Sequence, residues 1–324
     1  ENHLGQRQNA WVSRHASGGG VFLWDDRYNS PANSSDVARA IAVDGAGSVY
    51  ATGYEVRTDL GQSYNVWVRK YASNGLEQWT TTYNSPYNSL DAGYGIAVDP
   101  SGNVYVAGSQ YRGDLFQGYN SWIRKYTAAG SALWTASYNS SANSDDEISA
   151  IAVDGGGNAY VAGYSYRGDL GQSYNALIQK YDTNGNLLWT RTYNSPANSV
   201  DIAYAVAVDA SSNAYVTGYE SRTDLGQGYN TWVRKYDPSG LVLWTTSYNS
   251  PANDNDAGYG IAVDSQANVI VTGLESRTAL GQGYNVWLRK YRQPPPSTPT
   301  GVGVSTTAGG ADVGGRLTLT WTAN

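Results

Sequence analysis

Cysteine and methionine are absent from this 324-residue chain, phenylalanine and histidine occur twice each, and only 15% of the residues are charged. Without cysteine there is no disulfide framework, no thiolate metal site and no thiol nucleophile. The histidines, His3 and His15, both lie near the start of the chain and give no support to a Ser-His-Asp arrangement or an imidazole metal cluster. A net charge of -6 without long basic runs excludes the surface that phosphates require, so nucleic acid is not an expected partner. No apolar stretch reaches the roughly 18 to 20 residues of a membrane helix, and membrane insertion is not expected. A first residue other than methionine is expected of a processed chain or of an excerpt.

What is present in quantity is tyrosine (28), tryptophan (11) and glycine (38). This mixture suits strands and turns better than helices. It is also periodic. Tyr28, Tyr83, Tyr138, Tyr193 and Tyr248 follow at a constant step of 55 residues (83 − 28), each opening a YNSP-like segment. Trp79, Trp134, Trp189 and Trp244 keep the same step, as do Asp44, Asp99, Asp154, Asp209 and Asp264. A fixed period of this size is the mark of a repeat architecture.

Each period reads as four short strands. Ile41-Ala42-Val43-Asp44 (strand a) and Val49-Tyr50-Ala51-Thr52-Gly53 (strand b) are joined by a Gly-rich turn, a hairpin signal repeated downstream as DPSGN, DGGGN, DASSN and DSQAN. A polar loop from Tyr54 to Tyr64 leads to strand c, Asn65 to Tyr71, which places Trp67, Arg69 and Tyr71 on one face. Strand d runs from Leu76 to Tyr83. One such sheet cannot bury its apolar faces alone, and radial stacking of four-stranded units is the β-propeller solution. The expected fold is therefore all-β: a propeller of 55-residue four-stranded blades, five in number with six as the other count.

The chain starts out of phase, with a c-like strand around Trp11 and a d-like strand around Trp24, while the last repeat carries strands a, b and c but no d. Closure of that last blade by the N-terminal strand is the expectation, since it removes unpaired edges. Strand c is then present twice for that blade, once around Trp11 and once around Trp287, and one copy is surplus. Residues 1–292 form the expected propeller, 293–299 (QPPPSTP) a stiff linker, and 300–324 two strands resembling the start of a fibronectin type III module. Two strands alone are marginal. Trp11, Trp24, Trp287, Leu317, Leu319 and Trp321 are the residues expected to serve assembly, the last three by strand addition into a neighbouring molecule.

The pattern D-x-A-x-x-I-A-V-D-x-x-G-N-V-Y-V-x-G, followed by W-V-R-K-Y, x-G-x-x-x-W and YNSP, resembles the bacterial beta-propeller repeat family SBBP over roughly residues 4 to 292. The resemblance implies a secreted or cell-surface bacterial protein, often multidomain with fibronectin-like modules. It carries over no catalytic residue. The family's name implies seven blades, more than this chain supplies.

Chemistry has three candidate locations. Asp36, Asp91, Asp146, Asp201 and Asp256 recur at one repeat position, where a ring of carboxylates would suit calcium; the plainer reading is that each bonds backbone N–H groups at a corner. The long b to c loops offer Tyr54, Arg57, Tyr111, Arg112, Tyr166, Arg167, Tyr219, Arg222 and Arg277, a composition suited to sugars or protein partners, or to packing back on the blade. The two Arg-Gly-Asp tripeptides at Arg112 and Arg167 vary an Arg-Thr-Asp motif of other repeats. Finally Asp145, Asp146 and Glu147 are the nominees for a polysaccharide hydrolase or lyase. The function expected from the whole is a non-catalytic, extracellular structural or binding propeller. A fibre subunit assembled through the C-terminal strands and a glycan-active enzyme are the alternatives.

Overall fold

The computed structural model describes residues 8–17 and 20–292. They fall in one compact unit, Glu1–Arg292; the linker and terminal strands expected after it, with Leu317, Leu319 and Trp321, lie outside the described residues.

The first sheet has two strands, β1 (Ala10–His15) and β2 (Phe22–Tyr28). Four complete antiparallel sheets follow in chain order: β3 (Asp36–Val43), β4 (Val49–Val56), β5 (Tyr64–Tyr71) and β6 (Glu77–Tyr83); then β7 (Asp91–Val98), β8 (Val104–Tyr111), β9 (Tyr119–Tyr126) and β10 (Ala132–Tyr138). The next are β11 (Asp146–Val153), β12 (Ala159–Tyr166), β13 (Tyr174–Tyr181) and β14 (Leu187–Tyr193), then β15 (Asp201–Val208), β16 (Ala214–Ser221), β17 (Tyr229–Tyr236) and β18 (Val242–Tyr248). A three-stranded sheet, β19 (Ala257–Val263), β20 (Val269–Ser276) and β21 (Tyr284–Tyr291), ends the series. The first strands of successive blades, β3, β7, β11, β15 and β19, touch one another in order and form the inner edge. This is a β-propeller of meander blades.

The core lies between blades. Tyr50, Val66 and Val68 of one blade pack on Ile96, Val106, Trp122 and Tyr126 of the next, and the pattern recurs at each boundary. Trp67, Trp122 and Trp232 are fully buried, each worth about 1.5 to 3 kcal/mol of apolar burial. Hydrogen bonds fix the register. Trp24, Trp79, Trp134 and Trp189 donate their indole N–H to the c to d turn of the following blade, at the carbonyls of Ser73, Ala128, Thr183 and Pro238. The indole N–H of Trp244, next in the series, has no hydrogen-bond partner among the described residues. The YNSP tyrosines repeat the theme: Tyr28, Tyr83, Tyr193 and Tyr248 donate to Glu55, Gln110, Glu220 and Glu275 of the following blade. Arg69, Arg124, Arg234 and Arg289 lie over the same tyrosine rings.

One expectation is corrected. β2, the strand of Trp24, does not complete the last blade; it pairs with β1 over Ala10↔Tyr28 to His15↔Phe22, and β19–β21 stands as a separate three-stranded sheet. A short connection between neighbours in sequence costs far less closure entropy than one spanning the chain. The c-like strand around Trp11 thus claims the d-like strand around Trp24. Among the described residues four complete blades lie between two partial ones, in place of five closed on each other.

Candidate functional site: an aromatic arc on the inner strands

Every inner strand is bulged at one position. Ala38 pairs with Gly53 and Ala40 with Thr52, leaving Arg39 unpaired between them. The same shift leaves Tyr94, Ser149, Tyr204 and Tyr259 unpaired. A glycine faces each bulge because the bulged backbone presses on it: a Cβ on Gly53, Gly108, Gly163, Gly218 or Gly273 would lie 1.8 to 1.9 Å from a carbonyl oxygen of the inner strand. No side chain fits there. The bulge re-aims one residue per blade out of the regular alternation, and these five residues are not repeats of one another: Arg, Tyr, Ser, Tyr, Tyr.

Their side chains meet across blades. Arg39 lies 5.4 Å from the centre of the Tyr54 ring and 5.9 Å from that of Tyr94 in the next blade. Tyr204 and Tyr259, also from adjacent blades, have ring centres 4.9 Å apart, and Tyr204 further packs on Tyr219, which packs on Tyr229. Between these groups sits Glu147 of β11. It accepts from the Tyr164 hydroxyl at 2.6 Å and the Ser109 hydroxyl at 3.2 Å. Burial pushes its carboxyl up from the ordinary glutamate range; the two hydroxyl bonds oppose that and the nearby Asp145 adds to it. Burial and Glu147 together push the hydroxyls of Tyr94, Tyr119 and Tyr164 up, so they remain neutral donors. The result is an arc of partly buried phenols with one cation at Arg39 and one carboxyl at Glu147, contributed by every inner strand.

The residues expected from sequence divide around this arc. Tyr54 and Tyr219 join it. Tyr111 and Tyr166 pack beside Tyr119 and Tyr174. The loop arginines are engaged within their own loops: Arg57, Arg112, Arg167 and Arg222 each grip the aspartate two residues on through two nitrogens, at 2.8 to 3.1 Å, and Arg277 grips Glu275. In both Arg-Gly-Asp tripeptides the charged ends therefore neutralise each other.

The five repeated aspartates are separate. Asp36, Asp91, Asp146, Asp201 and Asp256 are buried, and each accepts the backbone N–H of the serine six residues earlier at 2.5 to 2.8 Å. This ties the YNSP corner to its inner strand. Among the described residues no group of three or more His, Cys, Asp or Glu side chains is placed to hold a metal ion. Asp146 thus faces a corner while Glu147, its neighbour in the strand, faces the arc, and Asp145 accepts from the Tyr119 backbone N–H at 3.1 Å. At the opposite end of the inner strands an open depression of about 630 Å³ is lined by the turns around Asp44, Asp99 and Asp154. Those carboxylates are used by their own turns, as when Asp44 accepts from Ala46, Ser48 and Tyr50.

Arg39, Tyr94, Ser149, Tyr204 and Tyr259 belong to no motif of the repeat. Their signal is a repeat column of changing identity between the constant Asp36-type aspartate and the constant Ile-Ala-Val-Asp run.

Comparison with known proteins agrees with the architecture. Residues 78–109 match the family model SBBP, the beta-propeller repeat. No curated protein matches the chain. Among solved structures it is similar to an α-L-arabinofuranosidase from Fusarium graminearum in complex with an iminosugar inhibitor, at 11% identity and TM-score 0.51 over 87% of this chain and 85% of that one. It is similar to a gluconolactonase from Xanthomonas campestris at 12% identity and TM-score 0.42, over 82% and 75% of the two chains. The WD40 β-propeller domain of Doa1 is similar at 11% identity and TM-score 0.31, over 79% and 93%. At 11% identity the likeness to the arabinofuranosidase concerns the fold alone.

Proposed function

We propose that the propeller is a non-catalytic binding module that takes a saccharide on the aromatic arc and works outside the bacterial cell, with a polysaccharide as its natural partner. The observation that carries this reading is the break in repeat identity at the bulge. Where the fold repeats, the residues repeat, yet the five side chains turned out of the alternation do not keep one identity (Arg, Tyr, Ser, Tyr, Tyr), and Tyr94 lies close enough to feel the charge of Glu147, a carboxyl that no other repeat supplies at its position. Phenol faces suit the C–H faces of sugar rings, while Arg39, Glu147 and the neutral tyrosine hydroxyls supply donors and acceptors for sugar hydroxyls. Extracellular placement follows the beta-propeller repeat resemblance.

Binding is favoured over hydrolysis because Glu147 and Asp145 already accept hydrogen bonds from the protein, and Asp146 is committed to its corner. The second reading, a glycan-active enzyme, draws on one observation: Asp145 helps to raise Glu147, the relation expected of a carboxyl kept protonated as a general acid. One experiment separates them. Calorimetric titration with a panel of soluble polysaccharides is expected to find a ligand whose affinity falls about tenfold in Tyr94→Ala and in Tyr204→Ala, the loss of one stacking contact of about 1.4 kcal/mol, with no reducing ends released. Release of reducing ends that Glu147→Gln abolishes establishes the enzyme instead. Absence of any saccharide ligand, or unchanged affinity in both tyrosine variants, rejects the arc as a sugar site.

A further inference from the structure

The interface between successive blades is made of two unlike halves. The leading half is a pair of small or branched residues on strand c; the accepting half is a large residue on strand c of the next blade. Ala10 and Val12 cluster with Trp67, Val66 and Val68 with Trp122, Ile123 with Leu177, Ala176 and Ile178 with Trp232, and Val233 with Trp287. Five times the same joint is closed, and its members are almost all fully buried.

Two halves are left over. Val286 and Leu288 of β21 occupy the leading positions of the last blade and are 79% and 72% exposed. Trp11 of β1 occupies the accepting position of the first and is 57% exposed. The lysine that accompanies the joint reports the same thing: Lys125 and Lys180 reach across to carbonyls of the next blade at 3.1 Å, whereas Lys290 turns back to Asp264 of its own blade at 2.9 Å. Beside Trp11 lies a mainly apolar cleft of about 220 Å³ that includes Val12, Ala38, Ala40 and Ile41. Ile41 is itself exposed there, while Ile96, Ile151 and Val206 at the same repeat position are buried.

We infer that the β21 face of one molecule docks on the Trp11 face of a second copy, repeating between chains the joint that each chain makes five times within itself. The occupant is a second copy because the complement of each open half is the other open half of the same sequence, and both are open at once in one molecule. β1–β2 and β19–β21 share no hydrogen-bonded pairing. An interface between unlike faces is heterologous, so each molecule that docks leaves a fresh half at either end and assembly continues until a ring closes. This inference rests on other observations than the saccharide reading, although Arg39 of the arc also lines the cleft beside Trp11.

Sedimentation of the full chain over a hundredfold concentration range is the test, with Leu288→Lys and Trp11→Lys as variants. Both side chains are exposed in the single molecule, so the variants are expected to keep wild-type circular dichroism and melting. The expected result is a mass that rises with concentration above 34.8 kDa for the wild type, a monomer for each variant alone, and a dimer that goes no further when the two variants are mixed, since one intact joint remains between them. A wild type that stays monomeric at every concentration, with both variants melting lower, shows that the two halves meet within one chain and overturns the inference. Wild-type assembly that survives both substitutions overturns it too, as does a failure of the mixed variants to pair.

Discussion

Trp134 closes on Gly185 of the following blade: its indole N–H donates to the Thr183 carbonyl at 3.0 Å, and a Cβ on Gly185 would lie 2.7 Å from the ring. Gly185 also holds φ at 88°, in the region that glycine alone enters without cost. Gly185→Ala adds a left-handed strain of about 1–2 kcal/mol to an overpacking cost of about 1–3 kcal/mol. A loss near 3 kcal/mol is therefore expected from urea unfolding midpoints. Trp134→Phe keeps a ring and removes the bond, and about 1 kcal/mol is expected there.

Phe116 stands where the other four b to c loops have Gly61, Gly171, Gly226 and Gly281, all left-handed, and it is itself at φ 56°. Its side chain is exposed. Phe116→Gly is expected to raise stability by about 1 kcal/mol by relieving the strain, and Gly61→Ala, with open space around it, to lose about the same. Gly108→Ala meets the Ala92 carbonyl instead, and no soluble folded protein is expected from its expression. Equal behaviour of Gly61→Ala and Gly108→Ala in a solubility assay would remove the steric account of the bulge.

Burial pushes Asp91 and Asp201 up to about 6; burial also opposes ionisation of Asp44, Asp154 and Asp209, but hydrogen bonds from the backbone of their turns and from the side chains of Tyr50, Asn158 and Asn213 outweigh it and hold them below the usual aspartate range. For the raised pair the folded state holds its protons more tightly than the unfolded state. Their contribution to stability is complete below about pH 4 and is lost as pH rises to about 6. For the lowered group the sign reverses: stability is present above the unfolded value and is lost as pH falls through the folded one. The two limbs place the melting maximum in mildly acidic solution. Asp91→Asn with Asp201→Asn is expected to flatten the limb between pH 4 and 6 in a series of melting curves and leave the lower limb as it was.

Arg124 lies 4.7 Å over the Tyr83 ring at the second to third blade boundary. One boundary onward, Gln179 occupies the same repeat position, where it bonds Thr190 and Tyr181. Arg124→Gln copies that natural solution. A loss of about 0.5–1 kcal/mol is expected in chemical denaturation; a loss of 3 kcal/mol or more would mean that the guanidinium holds the boundary by something other than the ring.

The repeat, the four strands, the turns and the inward tryptophans were legible because each depends on residues a few positions apart and is spelled again every period. Gly53 and its equivalents could be seen as constant without the reason being visible, since the clash they avoid is with Val37 and its equivalents on the partner strand. Arg39, Tyr94, Ser149, Tyr204 and Tyr259 were illegible as a group for a related cause. Alternation along the inner strand misassigns a residue beyond a bulge, and only pairing reveals one. The closing strand was misread because Trp24 matched the d position, while its actual partner was decided by the shorter route to Trp11.

The bulge separates what the backbone needs from what the exterior world meets. With the kink guaranteed by a glycine on the partner strand, the odd residue at its crest is not what forms the bulge, so its identity is free to vary from blade to blade. A propeller built this way offers five rewritable crests, each coupled to its neighbours' rings, and new recognition can arise there without redrawing the backbone.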